Sequence, residues 1–430
     1  MRGDAKMNIK PIFNEELQLL KDNFNITIPQ NCWKKKGGWV LAPDEDGNLI
    51  NIGRLNSDFN GGITFKPSNR EIPTNIISHI DYCKNNKDYI AKIPNLQYLK
   101  DEKIVILTST GKDSEVARHI IESQIGKRER VFTNTSLDVS QTLTLAKQNC
   151  DKIINPKEGF YTWVQEDKQI IPSRTVRKCC DIFKEGKLED EYDTSEKINF
   201  ITGLRSSESE GRKDYTLVMK NTKWSKLSQE NWNMINPIID FTEFDVWCYL
   251  LLEPNVIINP LYKLGYTRVG CAIACPQQQS YINAMDKIVF PKMYDRWNKI
   301  KEKKFKDNNL WTVLNCTVEE YLWDGWKKGT KYRDTVTDEV IKEYSEYKNI
   351  SLELARKFFD TPCDNGCTKT IKGKTFAKKL KNIETGLSIK FNGLNGKKLC
   401  MDCLMKELDC SKEELEERVM EFKIGGCKMF

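Results

Sequence analysis

The residues of this 430-residue chain best suited to chemistry begin with Ser109-Thr110-Gly111-Lys112-Asp113-Ser114. The apolar run Ile104-Val105-Ile106-Leu107 precedes Thr108 and this segment, and Val116, Ile120 and Ile121 follow it at helical spacing. That pattern predicts a buried strand, a loop and then a helix. The first amides of a helix are unpaired and carry partial positive charge, so such a loop is a place for an anion. Gly111 would let the backbone approach a phosphate closely, with Ser109, Lys112 and Ser114 adding donors. The pattern S-x-G-K-D-S is distinct from the ATPase loop G-x-x-x-x-G-K-[ST], because the first glycine of that motif is absent.

Three further segments could join this loop. Asn134-Thr135-Ser136-Leu137 follows the strand-like Arg130-Val131-Phe132-Thr133, and its backbone groups could read an adenine. Gly203 to Arg212 contains Arg205 and Arg212, two guanidinium groups able to grip phosphate or sulfate oxygens in bidentate fashion, with Glu208 between them to orient one. Asn259 to Pro276 adds Arg268 and the spaced pair Cys271 and Cys275. It follows a helix whose start, Thr242 to Asp245, resembles a capping box.

The chain has fifteen cysteines but only two histidines, His79 and His119. A histidine-rich metal centre or a Ser-His-Asp triad is therefore not expected, and both histidines read as ordinary helix residues. With no hydrophobic signal core at the N-terminus, the cysteines point to thiol, metal or redox chemistry rather than disulfides, and to the cytoplasm. Cys32 and Cys83 read as small buried residues. No apolar run is long enough for a bilayer, so no membrane partner is expected.

The elements that must position these residues alternate strand and helix, which predicts an α/β domain with a Rossmann-like parallel sheet and helices on both faces. Such sheets bind ligands at the carboxyl ends of their strands, where all four segments fall. Four regions are expected. Residues 1–100 form a small accessory α+β domain without chemistry of its own, in which Gly38-Trp39-Val40-Leu41 and Leu49-Ile50-Asn51-Ile52 flank a turn. Residues 101–280 bind the nucleotide. Residues 281–360 are a helical extension, whose Trp297, Trp311, Tyr321 and Trp326 serve packing and whose Thr317 to Glu320 is another capping box.

Residues 361–430 form a small domain in which Cys363, Cys367, Cys400 and Cys403 have the spacing of a tetrahedral structural zinc site, with Cys410 as a substitute ligand. Between Thr361 and Cys400 lie nine lysines and two acids, which account for the whole net charge of +7, and the lysines offer a contact for nucleic-acid phosphates. A solvated basic loop is the equal alternative.

Taken in order, Ser109 to Ser114, Asn134-Thr135, Arg177-Lys178-Cys179-Cys180-Asp181-Ile182-Phe183-Lys184, Gly203-Leu204-Arg205, Asn236-Pro237-Ile238 with Asp245-Val246-Trp247, and Asn259 to Pro276 resemble the phosphoadenosine phosphosulfate (PAPS) reductase family, in its archaeal and bacterial PAPS-reductase-like branch. This family lies within the adenine-nucleotide alpha-hydrolase-like superfamily, and the resemblance covers roughly residues 101 to 280. It implies binding of ATP, adenylyl sulfate or PAPS, with Mg2+ as an optional companion. It also implies a [4Fe-4S] cluster on Cys179, Cys180, Cys271 and Cys275. Adjacent cysteines converge poorly on one ion, whereas a cubane offers each thiolate its own iron corner, and Arg177 and Lys178 would offset its charge. The C-terminal segment resembles a zinc-ribbon module.

The chain departs from the family pattern in three ways. Its second cysteine pair is C-x3-C, one residue longer than usual; Asn134 stands where aspartate is usual; and no Glu-Cys-Gly-x-His motif is present. Cys427, after Gly425-Gly426 and beside Lys428, is the candidate nucleophile in place of that motif, although a packed terminal residue is the plainer reading. The expected activity is reductive sulfur chemistry on an adenine nucleotide, with a thiol or electron-donor protein as partner. The alternative is ATP-dependent adenylylation and sulfur insertion into a nucleic acid or another acceptor. A catalytically inactive nucleic-acid-binding adaptor is the third reading.

Overall fold

The structure is a computed structural model that describes residues 8–58, 61–166, 171–175, 178–184, 187–220, 230–271, 273–277, 280–333 and 335–359, with 361–362, 370–371, 405–406, 409, 411 and 413–414 beyond them. The chain divides into two compact units, Met1–Lys301 and Glu302–Phe430. Cys363, Cys367, Cys400, Cys403, Cys410, Cys427 and Arg177 lie outside the described residues, and so does the lysine-rich segment.

The first unit opens with strand β1 (Ile9–Pro11), helix α1 (Asn14–Phe24) and strands β2 (Trp33–Lys35), β3 (Trp39–Pro43), β4 (Leu49–Ser57) and β5 (Ile63–Pro67), followed by helix α2 (His79–Lys84). The five strands form an antiparallel meander in chain order, which includes the hairpin expected at Gly38 to Ile52. Cys32 and Cys83 are fully buried as expected. His79 lies against the Cys32 carbonyl at 2.9 Å, in a buried aromatic group with Trp33, Tyr82 and Phe244.

Strand β6 (Ile104–Thr108), helix α3 (Lys112–Ile125), β7 (Glu129–Thr133), α4 (Ser140–Asn149) and β8 (Lys152–Ile154) come next. The chain continues through α5 (Phe160–Gln165), α6 (Lys178–Phe183), β9 (Ile198–Ile201), β10 (Val218–Lys220), β11 (Trp232–Ile235), α7 (Glu243–Leu252), α8 (Pro260–Lys263) and α9 (Ser280–Val289). The sheet order is β10-β11-β9-β6-β7-β8. Five strands are parallel and β10 is antiparallel at the edge, so the sheet is mixed rather than purely parallel. Val105, Val131, Ile198, Phe200 and Trp232 form one buried face together with Leu188. Their β-branched and aromatic character suits strands covered from above and below.

After β6 the chain adds β7 and β8 on one side, then returns to place β9 and β11 on the other. The order therefore reverses between β6 and β9, the switch point beyond whose carboxyl ends open α/β sheets form their ligand crevice. Helix α7 begins with the expected capping box, Thr242 paired reciprocally with Asp245, and Asp245 also accepts from Lys92 Nζ at 2.5 Å.

Helix α10 (Pro291–Asp307) contains the division between the two units. The second unit continues through α11 (Trp311–Leu314), α12 (Val318–Glu320), α13 (Trp326–Lys328), α14 (Asp338–Lys348) and α15 (Leu352–Phe359). Trp311 packs on Phe305 and Tyr344 and donates its indole N–H to Glu343 at 2.6 Å, and the Thr317–Glu320 capping box is present. The aromatics of this segment thus serve packing, as their spacing predicts. Among the described residues no helix is long and apolar enough to cross a membrane.

Candidate active site

The loop after β6 is folded by its own hydroxyls. Thr110 adopts φ 53°, and its N–H donates to Thr108 Oγ1 at 3.1 Å. Ser114 Oγ accepts from Ser109 N–H at 3.1 Å and donates to the Gly111 carbonyl at 3.0 Å. Asn259, just before α8, reaches across to donate to Thr110 Oγ1 at 3.1 Å and Thr142 Oγ1 at 3.2 Å. Tyr262 OH accepts from the Lys112 N–H at 3.0 Å, and burial pushes this phenol up to about 12, so it stays neutral. The Glu115 N–H donates to the Gly111 carbonyl at 3.0 Å and starts the internal ladder, so the amides of Asp113 and Ser114 head α3 ahead of it.

Behind this loop sits a buried quartet of charges. Lys112 Nζ lies 2.6 Å from Asp113 and 3.4 Å from Glu243, and Arg205 donates to the same two carboxylates at 2.7 Å each. The cation side chains are 6% and 3% exposed, the acids 22% and 20%. Lys112 and Arg205 therefore form the floor of the crevice, and the carboxylates that neutralise them stand nearer to solvent. Burial opposes the charge on Lys112, but Asp113 and Glu243 outweigh it and raise its pKa well above the ordinary ammonium value. Burial likewise opposes the Asp113 carboxylate, while Arg205 and Lys112 hold it far below the usual carboxylate range.

The remaining arginines lie nearer the mouth. Glu208 pairs with Arg212 and, at 2.8 Å, with Arg268. Arg268 is 43% exposed. Burial works against its charge, and the fields of Cys275, Glu208 and Asp113 restore it.

The four cysteines expected to act together come from two segments, α6 and residues 271–275, and Lys184 Nζ lies 3.5 Å from where a Cβ at Gly270, beside Cys271, would stand. The thiols of Cys179 and Cys180 on α6 hydrogen-bond to each other, and this contact, burial and the neighbouring Cys180 and Cys271 all push the Cys179 pKa strongly upward. Burial raises the Cys271 thiol to about 11 against the pull of Lys184, with Cys275, Asp138 and Cys180 in the same field. Lys184 in turn is held charged, first by Cys271 and also by Cys180, Cys275 and Asp138. Cys271 and Ile273 both take left-handed backbone conformations, at φ 52°, which turn the second cysteine segment. Among the described residues no three His, Cys, Asp or Glu side chains converge on a single-ion site.

Asn134 is spent on its own turn: its side chain accepts from the Ser136 N–H at 2.8 Å and donates to Asn155 at 2.9 Å. The same turn presents Asp138, which takes both donors of Thr135 at 2.8 Å. Asp138, Glu243 and the role of Lys184 are the parts that sequence reasoning missed. Glu243 was within reach, since it lies one position past the recognised cap Thr242, on the first turn of α7.

Gly203, at the end of β9, is needed because a Cβ there would stand 2.6 Å from the Asp113 carbonyl carbon and the Ser114 nitrogen. Gly203→Ala is expected to cost about 1–3 kcal/mol and to push the start of α3 out of register with the crevice. A denaturant titration compared with nucleotide binding checks both effects.

With this geometry in place, the comparisons define the class of domain: residues 103–278 match the family model described as phosphoadenosine phosphosulfate reductase domain. The particular relatives follow. An uncharacterized protein of Methanocaldococcus jannaschii is 28% identical over 231 residues, which covers 50% of this chain and 54% of that protein. A second from the same organism is 29% identical over 244 residues, 54% of this chain and 46% of its own length, so the chain spans about half the length of these curated relatives. The adenosine 5'-phosphosulfate reductase of Bacillus cytotoxicus is 28% identical over 178 residues, 40% of this chain and 72% of that enzyme. A crystal structure of the PAPS reductase from Candida auris, a phosphate complex, aligns with TM-score 0.33 and 16% identity over 45% of this chain and 95% of that one.

Proposed function

We propose that the crevice between β6 and β9 binds adenylyl sulfate, PAPS or ATP for reductive sulfur chemistry beside a [4Fe-4S] cluster. The observation that carries this reading is the loop after β6 backed by the buried Lys112, Asp113, Arg205 and Glu243, in a segment whose residues 103–278 match the reductase family model. The leading amides of α3, with Ser109 and Ser114 fixing the turn, would receive phosphate oxygens. Arg212 and Arg268, aligned by Glu208, would receive the outer anionic group, and the Lys112–Arg205 floor would keep the loop in shape. Cys179, Cys180, Cys271 and Cys275 would hold the cluster, which when bound would supply redox and electrostatic tuning near the sulfonyl group. A thiolate attacks the sulfur of adenylyl sulfate, the sulfur–oxygen bond to the phosphate breaks, AMP leaves, and a second thiol reduces the adduct to release sulfite and a disulfide. Cys427 or a thiol of a donor protein fills the role of nucleophile.

A second reading keeps the crevice and uses ATP to adenylylate an acceptor, pyrophosphate leaving, before sulfur transfer. The lysine-rich stretch between Thr361 and Cys400, suited to a polyanionic acceptor, favours it. The proposed structural Zn2+ on Cys363, Cys367, Cys400 and Cys403 would hold that stretch.

Two experiments test the reading. Anaerobically reconstituted protein is given adenylyl sulfate, PAPS or ATP with a thiol reductant. Sulfite with AMP or its 3'-phosphate supports the reductase, AMP with pyrophosphate supports the second reading, and absence of either product set refutes both. Separately, the reconstituted protein is expected to be brown, with Cys179→Ser and Cys271→Ser each losing the colour and the iron; a colourless wild-type protein removes the cluster.

A further inference from the structure

The N-terminal sheet presents a row of side chains that the nucleotide crevice does not use. Lys35 on β2 stands opposite Trp39 on β3, Trp39 opposite Arg54 on β4, and Arg54 opposite Lys66 on β5. Directly opposed residues share a face of a sheet, so these four side chains form a line across four strands, about 14 Å long at ordinary strand spacing. The next row, Lys34, Val40 and Gly53, points the other way and is buried, which is why Lys34 serves the interior while its neighbour Lys35 does not. At the β1 end the row closes with Ile9, which is buried, so the open part begins at Lys35.

Trp39 is 40% exposed, although a ring of this size gains most when covered. The Arg54 guanidinium lies over it, 5.0 Å from the ring centroid, and its Nε–H donates to the Gly37 carbonyl at 2.9 Å. Lys36, in the β2–β3 turn, adds another exposed cation. Among the described residues, none of Lys35, Lys36, Arg54 and Lys66 forms an ion pair within 4.0 Å, whereas Lys34 and Lys10 both do. Asp58, in the adjoining β4–β5 turn, is occupied by the Gly62 N–H at 2.6 Å.

We propose that this face binds single-stranded nucleic acid, with Trp39 as the stacking platform and Lys35, Lys36, Arg54 and Lys66 as phosphate contacts. A flat aromatic surface flanked by unneutralised cations matches the alternation of base and phosphate along a single strand. A duplex hides its base faces and would use only the cations.

The test uses the full chain and fluorescein-labelled oligothymidylate and oligouridylate of about 15 nucleotides, within the span of a typical single-strand site. Binding is followed by anisotropy across a salt series, with a duplex of equal length and phosphatidylserine-containing vesicles in parallel. Trp39→Ala is expected to weaken single-strand binding about ten-fold or more, and Trp39→Phe to restore most of it. The double charge reversal K35E/K66E is expected to weaken binding and to reduce the salt slope by roughly one to two. Binding of adenylyl sulfate or ATP should be unchanged in all three variants, so failure here leaves the nucleotide reading untouched. Unfolding midpoints matching wild type show that the face, and not the fold, was altered. The proposal is overturned if neither oligonucleotide binds, if binding is indifferent to these substitutions and so belongs to another surface such as the lysine-rich stretch, or if only the vesicles bind in a Trp39-dependent way.

Discussion

Arg205→Met should unfold this protein at a markedly lower denaturant concentration, with a loss of roughly 3–5 kcal/mol, the range for breaking a buried ion pair by removing one partner. The guanidinium is 3% exposed and holds Asp113 and Glu243 simultaneously, so its removal leaves two carboxylates with Lys112 alone. The methionine fills the space but supplies no donor. Because Asp113 belongs to the first turn of α3, the nucleotide loop loses its shape as well, and affinity for adenylyl sulfate or ATP should fall at least ten-fold, a change of about 1.4 kcal/mol.

The quartet also sets a pH window. The folded pKa of Asp113 lies below its unfolded value near 3.8, so its contribution is present above that value and is lost as the pH falls through the lower folded one. The folded pKa of Lys112 lies above its unfolded value of 10.5, so its contribution is complete below 10.5 and fades only at higher pH. Wild-type stability should therefore hold a plateau between these limits from this source, and Arg205→Met should lower the plateau and flatten its acid edge, because it removes the largest field that depresses the Asp113 carboxyl. A variant as stable as wild type across neutral pH would show that the quartet contributes nothing net.

Much of this site was legible in the sequence because its signals are local. A strand, a glycine-containing turn and an amphipathic helix occupy consecutive residues, and their carboxyl-end position follows from chain alternation. The same holds for the capping boxes at Thr242 and Thr317, where the residue types that satisfy one another lie three apart. What the sequence hides is which charge finds which. Lys112 reads as a phosphate donor in isolation, yet Glu243, more than a hundred residues away, and its own neighbour Asp113 take up its ammonium. Asn134 reads as a ligand-facing turn residue, yet its amide closes the turn itself. The cysteines were found as pairs, but only the fold shows Lys184 among them.

The N-terminal region is the clearest case of such concealment, since it was expected to carry no chemistry of its own. Charged side chains are almost never fully buried unless paired, and Glu16, Lys10 and Lys34 are all buried. Here they are paired, and both ammonium groups turn inward on one carboxylate.

Glu16→Gln should be the most damaging change outside the crevice. Glu16 is 0% exposed; it accepts from Lys10 at 3.0 Å, from Lys34, and from Tyr281 OH at 3.0 Å. A Cβ at Gly265, which sits at φ +95°, would stand 2.8 Å from the Glu16 carboxyl carbon, so the chain passes directly against it. Gly265 and Tyr281 flank the segment with Arg268, Cys271 and Cys275, and one carboxylate from α1 therefore supports both ends of it. The substitution leaves two buried ammonium groups without an anion, at a cost of roughly 3–5 kcal/mol.

Its pH dependence follows from the two groups that titrate. Burial opposes the Glu16 charge, but Lys10 and Lys34 bring its pKa down to about 2, so its contribution is present above about 4.5 and is lost toward 2. Burial brings Lys34 down to about 7 against the pull of Glu16, so the unfolded chain holds that proton more tightly between about 7 and 10.5, and stability rises with pH across this interval. Without Glu16 the lysines lose their attraction, and the penalty should be greatest below pH 7 and shrink as Lys34 deprotonates. Removing one surplus cation, as in the double variant E16Q/K34M, should recover a large part of the loss at neutral pH. Equal stability of E16Q and wild type near pH 6, or a double variant weaker than E16Q, would mean that packing rather than charge holds α1 against the arginine–cysteine segment.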